Sequence, residues 1–358
     1  MRWNKLKSPI PVFWAVIFNL FGGLLAHGNL VINPTFDSTI TSDPNAAIIE
    51  NTISNVIAIY QASFSDPITV AITFQETSNG LGASSTSYNM GISYSAIHTK
   101  LIAGATTAND KLALAHLPNT SANPVNGSTT MELTLPNGRA LGFSGAAWTG
   151  ASDGNIYLNT SIMNLTSTSI DPSKYDLYSV VAHEINEVLG LSSRLDGFAN
   201  GAAAPTGDVD SLDLFRYNQN GNRSFNTLLA SEAYFSLDGT NRLVRFNQDA
   251  GGDFHDWYGD PTPHVQDAFG SPGTTPNLTV ELIGLDVIGY HLLVPAIFIS
   301  NIGSGKETIS WSPKTPGFVL QETTNLLSAS WVNSTNGATN PVTITNTATF
   351  KFYRVFHP

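Results

Sequence analysis

His183, Glu184 and Glu187 have the chemical types and the spacing to hold and use a metal ion. They lie in residues 176–197, where Leu177, Val180, Val181, Val188 and Leu189 recur at helical period as one apolar stripe. On a helix, His183 and Glu187 stand one turn apart on the same side, so an imidazole nitrogen and a carboxylate oxygen can converge on one ion. Glu184 projects about 100° further round the axis, within reach of a water on that ion. Gly190 lets the helix end in a sharp turn. Zinc accepts Asp or Glu oxygen as well as His nitrogen, so Glu187 is a competent ligand. Its charge makes the ion a weaker Lewis acid and a bound water less acidic. The plainer alternative is that these three residues are the polar half of an amphipathic helix.

The elements around this stretch are legible in outline. Residues 43–64 read as a helix, with Asp43 as N-cap, Pro44 in the first turn and Ile48, Ile49, Ile53, Val56, Ile57 and Tyr60 at helical spacing. Residues 67–75 alternate with β-branched side chains and read as a strand. Residues 80–86 are small and read as a loop; 93–106 and 109–117 read as helices, and 131–135 as a strand. Residues 153–159 read as a turn and a strand that forms the sheet edge before the motif helix, an edge that can pair with an extended peptide. Residues 196–290 show little periodicity until a short apolar helix at 282–290. Asp208, Asp210 and Asp213 cluster there and read as a solvated loop, with calcium the alternative, although the glycine and final glutamate of an EF-hand are missing. Residues 253–257 bring two carboxylates and an imidazole together beside Trp257.

Composition narrows the setting. Residues 1–28 read as a cleaved secretory signal: Arg2, Lys5 and Lys7 precede an apolar run that ends in Ala26, His27 and Gly28. That run is too short, and too interrupted by Pro11, Gly22 and Gly23, for a membrane anchor. Without it the chain carries 27 acidic and 13 basic side chains, a net charge of −14. Such a surface repels nucleic acid and anionic membranes. The absence of cysteine excludes disulfides, thiolate zinc sites and cysteine nucleophiles. From residue 294 onward, short alternating runs split by Gly, Pro and Asn read as a small β-sandwich without catalytic side chains.

The run His183 to Gly190 is the zinc-protease motif His-Glu-x-x-His with a glutamate in place of the second histidine. With it, residues 44–290 resemble a family of secreted bacterial metalloproteases related to the metzincin-like zinc peptidases. The blocks at 213–217, 234–239, 246–247, 252–257 and 285–290 look like that family's, in the same order. The resemblance implies zinc on His183 and Glu187, with Glu184 as the general base of peptide hydrolysis. The metzincin pattern sets its third ligand at Ser193, a poor one. Asp196, one turn on, is the first candidate for that role, with His255 and His264 next; in the plainer reading Asp196 caps a turn and the histidines lie at the surface. No methionine follows Met163, so the 234–239 block would stand in for the methionine turn.

These readings combine into an α+β, metzincin-like zinc-peptidase domain with a mixed sheet over 29–293, and an accessory β-sandwich over 294–358. The expected activity is that of a secreted zinc endopeptidase acting on polypeptides, with no nucleic-acid partner and no stable membrane insertion. Two alternatives stand beside it: an inactive peptidase fold used for binding or adhesion, and a calcium-stabilised scaffold.

Overall fold

Val70, Ile72 and Phe74 alternate with exposed or half-buried neighbours and turn inward, which makes their strand the buried middle of a sheet. The computed structural model describes residues 29–356 except 169, 199–200, 202–205, 260, 304–305, 313–317, 326–329, 336–338 and 346–350. The expected signal at 1–28 lies outside the described residues. Among those described, no helix is long and apolar enough to cross a membrane.

The chain runs β1 (Val31–Phe36), α1 (Ser38–Thr41), α2 (Ala46–Ser63), β2 (Thr69–Glu76), β3 (Gly82–Thr86), β4 (Tyr88–Ser93), α3 (Tyr94–Gly104) and α4 (Ala108–Ala115). It continues through β5 (Thr130–Thr134), α5 (Leu135–Ala140), β6 (Gly154–Leu158), β7 (Met163–Asn164), β8 (Tyr175–Asp176) and α6 (Leu177–Leu189). Four strands form a mixed sheet in the order β1-β2-β6-β3, parallel except for β3, which runs antiparallel to β6. The edge strand is therefore β3 and not β6. Residues 80–86, expected to be a loop, supply it, because pairing with β6 fixes a strand whose Gly, Ala and Ser side chains carry no β signal of their own.

Helix α2 forms with Ile49, Ile53, Val56, Ile57 and Tyr60 buried, while Ile48 stays exposed. Its N-cap is Asn45, and Asp43 instead accepts the Asn45 amide at 2.6 Å. Helix α6 starts where Asp176 accepts the Ser179 amide and ends at Gly190, whose φ of +118° only glycine adopts without strain. All five apolar stripe residues are buried, and the helix packs on β3, β6 and α2. Two strand glycines let it come this close. A Cβ on Gly82 would overlap Glu184 Oε1 and lie 2.7 Å from Val180, and one on Gly154 would lie 2.7 Å from Val188 Cγ2.

Beyond α6 come β9 (Arg216–Asn218), β10 (Ala233–Phe235) and β11 (Val244–Arg245), a small antiparallel sheet ordered β11-β10-β9, and then α7 (Val280–Val287). The Asp208–Asp213 cluster is not a solvated loop. Asp210 and Asp213 are buried, and Asp213 accepts from Ser193 Oγ and from the amides of Arg194 and Asp210, while Asp208 accepts from Gly91 N and Thr130 Oγ1. Backbone amides claim the carboxylates of Asp208 and Asp213.

The expected C-terminal strands form as β12 (Ala296–Gly303), β13 (Lys306–Ser312), β14 (Val319–Thr323), β15 (Val332–Asn333), β16 (Val342–Thr345) and β17 (Phe352–Phe356). They make two three-stranded antiparallel sheets around a separate small core of Ile309, Trp311, Leu320, Val342 and Ile344. The overall class is mixed α and β, with several small sheets.

Because α6 leaves no room over β6, Gly154→Ala should lower stability by about 1–3 kcal/mol. Chemical denaturation of the two proteins measures this, and an unchanged midpoint would mean that the helix can shift off the sheet at no cost.

Candidate metal centre

His183 and Glu187 project from one face of α6 toward the loop that carries His255 and Asp256. His183 Nε2 lies 3.2 Å from Glu187 Oε1 and 3.5 Å from Asp256 Oδ1. His255 Nε2 lies 3.0 Å and 3.4 Å from the same two oxygens. Four atoms each about 2.0–2.1 Å from one ion, at the corners of a tetrahedron, stand roughly 3.3–3.4 Å apart. Four edges of this arrangement are close to that value. Asp253 adds an exposed carboxylate: ligand atoms of Glu187, Asp253, His255 and Asp256 all lie within 4.8 Å of one another. This group could hold a metal ion.

The hydrogen positions strengthen the fit. His183 Nδ1 lies 2.9 Å from the carbonyl oxygen of Val265, which can only accept, so Nδ1 carries a proton. His255 Nδ1 faces Asp196 Oδ2 at 2.7 Å in the same way. Each Nε2 then aims either a lone pair or a second proton at two carboxylate oxygens. Burial alone would resist that second proton on both rings. The carboxylates of Asp256, Glu184 and Glu187 around His183, and of Asp196, Asp256 and Glu187 around His255, outweigh it and hold both imidazoliums well above their usual range. Burial would raise Glu187, but hydrogen bonds from His183 and His255 hold it below the carboxylate range. Burial pushes Asp256 up to about 6 against the pull of both histidines. A cation, proton or metal, is what this space requires.

Buried polar contacts hold the donors in place. The Phe254 peptide is gripped from both sides: its N–H donates to Asp196 Oδ1 at 2.5 Å, and its carbonyl accepts from Arg216 Nη1 at 2.5 Å. Arg216 is buried, donates also to Asn247 O and Gln248 Oε1, and lies 4.3 Å over the Phe246 ring. On the other side, Gln266 Nε2 donates to Asp256 Oδ1 at 2.9 Å, Asn186 Nδ2 donates to Gln266 Oε1, and Tyr60 OH donates to Asn186 Oδ1 at 2.7 Å. Ser84 Oγ, on edge strand β3, donates to Glu187 Oε2 at 2.6 Å. Phe235 of the 234–239 block stacks on Trp257, the residue after Asp256, at 5.8 Å and 20°.

Glu184 lines a cleft of about 350 Å³ together with Gly82, Ser84, His183 and Glu187. It is 4% exposed, and its Oε2 has no hydrogen-bond partner among the described residues. Burial first, and then the Glu187 charge, raise this carboxyl well above its usual range. No protein-family model, curated protein or solved structure matches the chain.

Of the expected ligands, His183 and Glu187 lie at the cluster and Asp196 stands behind it. Both Asp196 oxygens are engaged, by Phe254 N and His255 Nδ1, and it is His255, the second candidate, whose Nε2 lies beside Glu187 and Asp256. His264 lines the cleft outside the four-atom cluster. Asp256 went unassigned: the 253–257 run marked the right segment, but only the fold shows which of its carboxylates turns inward.

A carboxylate that orients a ligand histidine is worth about 10–100-fold in metal affinity. Asp196→Asn should weaken zinc binding by that factor in competition with a chromophoric chelator, and unchanged affinity would remove its orienting role. Protons on the two Nε2 atoms compete with any ion, so affinity should also rise from pH 6 to pH 8. In the metal-free protein the same protons stabilise the fold fully below about pH 6.5. That contribution is lost as pH rises through the raised folded values of His183 and His255. A pH-independent zinc affinity would contradict this account.

Proposed function

We propose that the protein is an exported zinc-dependent endopeptidase, with His183, Glu187, His255 and Asp256 as the zinc donors and Glu184 as the general base. The observation that carries this reading is the convergence of two imidazole nitrogens and two carboxylate oxygens, with nitrogen–oxygen distances of 3.0–3.5 Å, beside a buried carboxyl that has one unpartnered oxygen in an open cleft. The donor set of nitrogen and carboxylate oxygen suits zinc among the common ions, whereas calcium takes oxygen alone. Zinc bound there would polarise a carbonyl oxygen and acidify water.

The chain's own residues do the rest. Glu184, whose carboxyl burial holds above its usual range, takes a proton from the attacking water and passes it to the leaving amine. Asp196 and the Val265 carbonyl keep the Nδ1 protons in place, so both Nε2 atoms present lone pairs to the ion. Edge strand β3, which pairs only with β6 among the described strands, offers its other edge to an extended polypeptide. Ser84, on that strand, ties it to Glu187. Together with the ordered sequence blocks, these features support a relationship to the secreted metzincin-like peptidases. In this reading the chain divides into a catalytic unit over 29–293 and an accessory β module over 294–358.

One observation favours a second reading. Asp256 gives the cluster four protein donors, and structural zinc sites are closed in this way whereas catalytic ones keep a position open. A non-catalytic binding protein would use the ion only to lock the 246–257 loop.

Zinc content and peptide hydrolysis, measured together on wild type, Glu184→Gln and His183→Ala, separate the two. The hydrolase reading expects about one zinc per chain in wild type, retained by Glu184→Gln with hydrolysis at least about 100-fold slower, and lost from His183→Ala. Stoichiometric zinc with no hydrolysis across a peptide library would favour the closed structural site. Full activity in Glu184→Gln would remove Glu184 from the mechanism.

A further inference from the structure

A second recess, of about 430 Å³, meets the first at Ser84, Glu187 and Asp253. On β3, the half-buried residues Gly82, Ser84 and Thr86 alternate with exposed ones and share a face of the strand. Gly82 abuts Glu184, Ser84 is bonded to Glu187, and Thr86 borders the second recess. An extended chain laid along β3 therefore passes from the Glu184 cleft into this recess within about two residues, or roughly 7 Å.

Two buried carboxyls stand in its wall. Asp210 is 3% exposed, and its Oδ1 has no hydrogen-bond partner among the described residues. Burial first, and then the charges of Asp213 and Glu132, push its carboxyl well above the usual range. Glu132 is buried too, and meets Arg194 Nε at 3.4 Å, from a side chain that is 40% exposed. Of the neighbouring acids, Asp213 is committed to Ser193 and two amides and Asp196 to His255, while Asp253 stands exposed where the two recesses meet. A calcium ion would need six to eight oxygens, and two carboxyl groups do not approach that. Tyr88 and Met90 line the same recess and offer apolar surface to an aliphatic stem.

We propose that this recess is a specificity pocket for a lysine or arginine side chain of the bound polypeptide, with Asp210 and Glu132 as the residues that select it. The inference rests on the reading of the adjoining cleft as a peptide site. Asp210 already shares hydrogen bonds with Ser192 and Glu132, and the incoming cation meets its unpartnered Oδ1 and competes with Arg194 for Glu132. Its stem lies along Tyr88 and Met90.

The test is calorimetric binding of alanine-rich octapeptides to zinc-loaded Glu184→Gln protein. One lysine is moved through the sequence, and the same series is made with norleucine. The expected result is one register in which the lysine peptide binds at least about tenfold tighter than its norleucine partner. Asp210→Asn and Glu132→Gln, added separately, should each bring that ratio toward one. No lysine preference in any register, or a preference that survives both substitutions, overturns the proposal. Wild-type protein that cleaves peptides without regard to basic residues would sink the pocket and leave the hydrolase standing. Lysine-dependent binding by a protein that cleaves nothing would do the reverse.

Discussion

Two imidazole nitrogens and two carboxylate oxygens, packed 3.0–3.5 Å apart and largely out of water, cannot coexist without a cation among them. This constraint explains much of the surrounding architecture. The Nδ1 atoms are held by acceptors, Val265 O and Asp196, so that the Nε2 atoms face the cluster. A buried arginine and a chain of amide side chains hold the loop that brings His255 and Asp256 to α6. Without the cation, these contacts would press acceptor against acceptor.

The rigid half of the site is α6, and its precision comes from what lies beneath it. Gly82 and Gly154 remove side chains where the helix crosses the sheet, which brings Glu184 against the edge strand and leaves one of its oxygens unpartnered at the cleft. The other half is a loop of little regular structure. Such a segment keeps its shape only because its backbone groups are answered from within: Arg216 takes carbonyls, Asp196 an amide, and Asn247 Nδ2 the carbonyls of Asp249 and Asp253. Trp257, stacked on Phe235 and tilted against Phe246, closes the space behind it. A helix thus supplies fixed spacing, and a buried polar network supplies the loop's position.

Sequence and tertiary structure contributed different parts of this picture. Local patterns with a clear period were legible: α6 with its stripe and its Gly190 stop, α2, β2, and the alternating C-terminal strands all form where the residues indicate. The spacing of His183 and Glu187 follows from helical geometry alone, and so does the place of Glu184 beside them. The chain's own sequence also excluded thiolate chemistry, since it has no cysteine.

What the fold alone decided is every pairing between distant segments. Residues 82–86 became the edge strand because β6 offered them hydrogen bonds, which no side chain in that stretch announces. Asp196, well spaced along the chain for a ligand, turned back to buttress His255, and Asp210 and Asp213 went inward to amides or the recess wall instead of to solvent. A carboxylate takes whichever partner the packed structure leaves nearest, and the separation of 68 positions between Glu187 and His255 hides that partner from any local reading. The sequence by itself determined one helix that carries His183, Glu184 and Glu187 beside an apolar stripe; the tertiary structure decided which side chains gather beside them.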